Sequence, residues 1–199
     1  MAITYPISTP TSIGIAQVEL GATNAVAVSK SPFTFATQVH AYSGEMWSAN
    51  VTIPTVRRDL AEPWVAFLMS LRGQYGTFLL GDPNCTSPQG TATSATITGS
   101  LGDRSVTATL SGPEVTDTLK AGDYFQLGSG ASARLHKVLV DRSGSGTLEI
   151  WPALRDDYTT ASATLTNAKG VFRLAANQTN WGIGSNSAYS IQFEAMEDV

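Results

Sequence analysis

The chain holds two imidazoles, His40 and His136, and nucleophilic catalysis would need one of them beside a hydroxyl or thiol and a carboxylate. The nearest serine-rich stretches, Gly128-Ser129-Gly130 and Ser143-Gly144-Ser145-Gly146, are turn-like and lack the Gly-x-Ser-x-Gly frame of a nucleophile elbow. Glycoside hydrolysis would ask for two carboxylates on opposite sides of a bond. The candidates are Asp103, Glu114, Asp123 and the adjacent Asp156-Asp157. Two adjacent residues point to opposite faces if extended, and the neighbours Arg155 and Tyr158 favour a turn. No Asp-x-Asp-x-Asp-Gly loop for calcium, no phosphate loop and no dinucleotide fingerprint occurs. The single cysteine, Cys85, leaves no internal disulfide and no cysteine-based zinc site. Each histidine reads as structural. No residue is assigned as catalytic, cofactor-binding or metal-binding, no cofactor is implied, and the expectation is a protein that is not an enzyme and works through its surfaces.

The bulk composition agrees with that expectation. Charged residues make up 14% of the 199, against about 25% in ordinary soluble domains, and Ser, Thr, Ala, Gly and Asn fill the gap. A surface so poor in charge repels its neighbours weakly and suits a subunit that packs against copies of itself. A Thr/Ser-rich all-β protein would show the same composition. Twelve basic and sixteen acidic residues give a net charge of −4, and the longest basic run is Arg57-Arg58, so no nucleic-acid footprint is present. No apolar run reaches the roughly 18 residues of a membrane span. The opening Met1-Ala2-Ile3-Thr4-Tyr5-Pro6 lacks the pattern of a secretory leader, and the expectation is synthesis in the cytoplasm.

The elements that would carry such surfaces are mostly strands. Period-2 alternation runs through Ser12 to Leu20, Phe33 to His40 and Glu45 to Ile53, the last two joined by a turn at Ser43-Gly44. One helix follows. Asp59 reads as its N-cap, with Glu62 completing a capping box and Pro63 in the first turn. Leu60, Trp64, Phe67, Leu68 and Leu71 recur at helical spacing as a core stripe, and Gly73 closes the run as the residue past the C-cap. After the strand Tyr75 to Leu80, the cluster Gly81-Asp82-Pro83-Asn84 breaks the chain and the texture changes. Short strands at 95–98, 105–110, 123–127, 134–140, 147–151 and 161–165 predict a small barrel or sandwich. Cleaner alternation returns at 170–174 and 189–195. The middle therefore reads as an insertion: residues 1–86 and 168–199 form one domain and 87–167 a small barrel inside it.

Particular stretches resemble a known family. Met46-Trp47-Ser48-Ala49-Asn50-Val51-Thr52-Ile53-Pro54 and the helix Ala61-Glu62-Pro63-Trp64-Val65-Ala66-Phe67-Leu68 are followed by Leu71-Arg72-Gly73-Gln74-Tyr75-Gly76-Thr77-Phe78-Leu79-Leu80-Gly81-Asp82-Pro83. Together they resemble the distal tail proteins of long-tailed bacteriophages and prophages. Leu119 to Gly128, Arg134 to Val138 and Leu148 to Arg155 are similar to the middle domain of those proteins, and Phe172 to Ala175 with Tyr189 to Ala195 to their end. The likeness covers about 150 residues in order and is weakest over the first forty. Its most specific marker is Gly76-Thr77-Phe78-Leu79-Leu80-Gly81-Asp82-Pro83.

The resemblance implies a mainly β fold: a tail-tube-like β-sandwich or barrel domain with one α-helix, plus an inserted small β-barrel of OB- or galectin-like kind. It implies a structural virion protein of a siphophage tail tip, a homohexameric ring joining the tail tube to the baseplate hub. Its partners would be other copies of itself, the tube protein, the hub protein and the tape measure protein, with DNA only passing through the lumen and no membrane insertion. Another minor tail protein, tube subunit or terminator, is the alternative within the particle. From a different class comes a carbohydrate-binding module for a host glycan, with a sugar held on Tyr124, Trp151 or Tyr158 of the barrel.

Overall fold

A computed structural model describes residues 3–185 and 187–199; Met1 and Ala2, part of the stretch read for a leader, lie outside the described residues, as does Asn186. In chain order the first part holds β1 (Ile7–Ser8), β2 (Gln17–Lys30), β3 (Thr37–Arg57), helix α1 (Arg58–Leu71) and β4 (Thr77–Leu80). Then come β5 (Ser94–Gly99), β6 (Ser105–Ser111), β7 (Thr118–Leu119), β8 (Tyr124–Leu127), β9 (Arg134–Val138), β10 (Arg142–Ser143), β11 (Gly146–Trp151) and β12 (Tyr158–Ala163). The chain closes with β13 (Gly170–Leu174), β14 (Trp181–Ile183) and β15 (Ala188–Glu197). The protein is mainly β with one α-helix and a small barrel, as its alternation and turn spacing predict. No described helix is long and apolar enough to cross a membrane.

The first sheet runs β1-β4-β13-β15-β3-β2, with β14 added to β15. Its core face follows from alternation on β3 and β15. Trp47, Ala49, Val51 and Ile53 are buried, and so are Tyr189, Ile191, Phe193 and Ala195, while the residues between them are not. Helix α1 lies on that face through Ala61, Trp64, Val65, Phe67, Leu68 and Leu71. Trp64, Phe67, Phe78 and Phe193 meet there edge-on or tilted, with ring centroids 5.5–6.3 Å apart. Such pairs add about 0.5–1.5 kcal/mol each to their burial.

The start of α1 differs from the expectation. β3 keeps its ladder with β15 as far as Arg57, opposite Ala188, so strand passes into helix without a side-chain cap. Asp59 is already inside the first turn, 3.4 Å from Arg57, and Glu62 pairs with Arg58 at 3.0 Å instead of closing a capping box. Pro63 is the sixth helical residue rather than a first-turn one, on the solvent side, where its missing N–H removes one helical hydrogen bond. The C-terminus follows the expectation. Arg72 is left-handed, and Gly73, at φ +69°, follows it.

The turn expected at Ser43-Gly44 is not there either. β3 continues past both residues as a bulge: the ladder steps from Asn24–Glu45 to Val26–Ala41, so Tyr42, Ser43 and Gly44 stand against Ala25 alone. Gly44 is needed for closeness: a Cβ on it would lie 3.0 Å from Ala25 Cβ. The chain reverses instead at Ser31–Ala36, where the Ser31 backbone N–H donates to Ala36 O at 2.9 Å and Phe35 takes φ +56°.

The second sheet runs β12-β5-β6-β11-β9-β8. Gln126 and Thr164 exchange two backbone hydrogen bonds of 2.9 Å, which join β8 to the end of β12 and close the barrel. Ile97, Val106, Phe125, Leu127, Leu148 and Ile150 fill it. The chain leaves the first sheet at Gly81 and returns at Ala168, and these two touch: a Cβ on Gly81 would lie 2.1 Å from Ala168 O.

A polar seam fastens the barrel to the sheet. Glu45 Oε1 accepts from Arg104 at 2.7 Å, and its Oε2 accepts from the Ala153 backbone at 2.6 Å. Arg155 donates to the Glu45 carbonyl at 2.6 Å and to Glu197 at 2.9 Å, and Glu197 also accepts from the Trp47 backbone at 3.0 Å. Trp47 contributes its indole N–H to Leu135 O at 2.9 Å.

Candidate assembly interface

β2 and β3 outrun the rest of their sheet. The β15 ladder on β3 stops at Ser48, and beyond it residues 22–44 form a two-stranded arm about 25 Å long, exposed on both faces apart from half-buried Ser31. Val28 pairs with Val39 and Val26 with Ala41, so four apolar side chains line one face. Val28 is 63% exposed and Val39 61%; at the tip Phe33 reaches 91% and Phe35 68%. The ammonium of Lys30, which lies 5.0 Å over the Phe35 ring, is the one formal charge between residues 22 and 44. An isolated hairpin is marginal in water. Free edges are normally blunted by lysines, prolines or covering elements, and here Pro32 and Lys30 lie only at the tip.

Among the described residues none covers the face of the sheet opposite α1 either. Strand register sets its rows: Gln17, Thr52 and Gln192; Glu19, Asn50 and Glu194; Gly21, Ser48, Met196 and Arg173. Gln192 donates to Asn50 at 3.1 Å and Gln17 to Glu19 at 2.9 Å. Arg173 is neutralised by Asp198. What remains is a flat polar surface whose unpaired charges, Glu19 and Glu194, are both negative. Gly21 keeps it flat, since a Cβ there would lie 2.5 Å from Ser48 Oγ.

The residues considered for chemistry are dispersed. His40 stands on the arm against Tyr42, ring centroids 4.7 Å apart. His136 is fully buried in the barrel wall, stacked on Phe125 at 5.3 Å, with Nδ1 2.9 Å from Pro152 O. Burial lowers its pKa to about 4, with Arg155 and Arg134 acting the same way. The carboxylates serve the backbone. Asp123, fully buried, accepts from the N–H groups of Gln89, Gly90 and Lys120. Asp103 accepts from Ser100, Asp157 from Leu101, and Asp156 from its neighbour Asp157. Glu114 lies in the exposed turn before Asp117, which accepts from its N–H. Burial raises the pKa of Cys85. Among the described residues no group of three or more His, Cys, Asp or Glu is placed to hold a metal.

Of the three barrel aromatics considered for a glycan, Tyr124 and Trp151 share one groove with Trp47. Tyr158 is apart from them, packed against the barrel core, where burial raises its pKa. The arm is concealed in the sequence by the turn-like composition of Ser43-Gly44. Its signal was the near absence of charge from residue 22 to 44. No protein-family model matches the chain, and no curated protein matches it.

Proposed function

We propose that this chain is a structural protein of a siphophage tail tip, which assembles into a hexameric ring between the tail tube and the baseplate hub. The observation that carries the reading is the arm. Val26, Val28 and Val39 form an apolar ribbon that no described residue covers. Such a ribbon gains stability only by lying against another molecule. A patch on one part of a subunit that docks on a different part of the next makes a head-to-tail contact, and such contacts form a ring when the rotation between neighbours closes and a filament when it does not. The resemblance of the stretches between Met46 and Pro83 to distal tail proteins supports the same role.

In that ring the uncovered sheet face lines the lumen. Its Ser, Thr, Asn and Gln rows with Glu19 and Glu194 offer DNA no cation to hold, so a polyanion passes without sticking. The helix face and the barrel then stand outside, and the seam around Glu45 keeps the barrel at a set angle to the wall.

The test is the solution mass of the purified chain by light scattering, with negative-stain images of the same peak. A ring of about six copies with a central hole is expected, because a tube needs closed cyclic symmetry. A monomer at every concentration, with and without the tube protein, would refute the reading.

A further inference from the structure

A groove of about 330 Å³ opens where the root of the arm meets the barrel. Leu20 and Asn24 of β2, Trp47 of β3, and Tyr124, Lys137 and Trp151 of the barrel line it. The rings of Trp47 and Trp151 stand perpendicular with centroids 4.4 Å apart, and Tyr124 lies 6.0 Å from Trp47. Trp47 and Tyr124 are buried, whereas Trp151 keeps part of its surface in the groove.

The polar atoms of the groove are half used. Trp151 donates its indole N–H to Asn24 Oδ1 at 2.8 Å. Lys137 donates to Tyr124 Oη at 2.9 Å, with its ammonium 4.3 Å above the tyrosine ring. The Asn24 amide protons, the tyrosine hydroxyl proton and two ammonium protons are left, and all of these are donors. Among the described residues no carboxylate forms an ion pair with Lys137. The complementary ligand is therefore a flat apolar face that carries acceptors and a negative charge. An arm tip from a second copy fits poorly, because Phe35 would bring Lys30 against Lys137.

We propose that this groove binds an anionic saccharide, a sugar ring bearing a carboxylate. The carbon face of the ring rests on Trp151 and the carboxylate meets Lys137. Asn24 and the Tyr124 hydroxyl donate to ring hydroxyl oxygens. The volume is at the lower end of the roughly 300–1,000 Å³ usual for ligand pockets, enough for one or two sugar rings. Because β2 supplies one wall and the barrel the other, the site exists only while the seam holds the two together.

The test titrates the full chain with trigalacturonic acid and with sialyllactose, and with galactotriose and lactose as neutral counterparts, by calorimetry and tryptophan fluorescence. At least one carboxylated probe is expected to bind about tenfold or more tighter than its neutral counterpart, and to weaken as salt rises. Lys137→Met, with unchanged melting temperature, should erase the preference, and Lys137→Arg should keep it. Failure of both acidic probes to bind overturns the proposal. So does equal binding of acidic and neutral sugars, or a preference that survives Lys137→Met. Lys137-dependent binding of an acidic peptide in place of either sugar would assign the groove to a protein partner and overturn it equally.

Discussion

Arg155 donates to Glu197 at 2.9 Å with side chains 12% and 1% exposed, so the loop after the barrel strand β11 is tied to the last strand of the first sheet by an ion pair out of water. Glu197 joins the backbone of Trp47 as well, and Arg155 the carbonyl of Glu45. Barrel, arm root and chain end therefore meet in one charged knot.

Breaking that knot from one side should be costly. Glu197→Gln leaves the Arg155 guanidinium buried without its counter-charge, and loss of one partner of a buried pair costs about 3–5 kcal/mol. Urea denaturation should show a drop of that order. Replacing both residues together, Arg155→Met with Glu197→Leu, should recover much of it.

His136 makes stability depend on acid. Its folded pKa is lowered to about 4, below the unfolded value of about 6.5. The unfolded chain therefore takes up the proton first. The stabilisation is complete above pH 6.5 and is lost as pH falls from 6.5 towards 4, by about 1.4 kcal/mol per unit and about 3 kcal/mol in all. Denaturation midpoints between pH 7 and 5, a window mostly above carboxylate titration, should fall in the wild type and stay flat in His136→Leu.

The arm should be separable from the fold. Val28→Glu with Val39→Glu puts two like charges opposite each other on an exposed ribbon. The melting temperature of the monomer should hold, since exposed substitutions usually stay within about 0.5 kcal/mol. Light scattering should show the assembly lost. An intact ring with this pair in place would mean that the apolar ribbon is not the contact.

Gly81→Ala tests the crossing between the two sheets. Its Cβ would lie 2.1 Å from Ala168 O, on backbone that cannot swing away. Overpacking of this kind typically costs 1–3 kcal/mol, and about 3 kcal/mol is expected here by denaturation. Gly14, with nothing within 4 Å of its Cβ position, is the control and should tolerate alanine.

The amino-acid sequence by itself determined the class and the parts. Alternation along Trp47–Ile53 and Tyr189–Ala195 marked the core face, because side chains alternate across a strand whatever it pairs with. The stripe Trp64, Phe67, Leu68 and Leu71 marked a helix for the same local reason. Dense short strands after Gly81-Asp82-Pro83-Asn84 marked the barrel. Non-local pairing decided the rest. Ser43-Gly44 has the composition of a turn, yet it forms only a bulge because β2 pairs with β3 on both sides of it, at Glu45 and at Ala41, and the arm exists only because β15 stops while β2 and β3 continue. Asp59 has the right residue type for a cap but lost that place to a strand that runs four residues past Ile53, to Arg57. Tyr124, Lys137, Trp151 and Asn24 are up to 127 positions apart in the chain and form one groove only after the barrel is seated. Local pattern is written into neighbouring residues, whereas register, strand ends and the meeting of distant side chains depend on which surfaces bury each other.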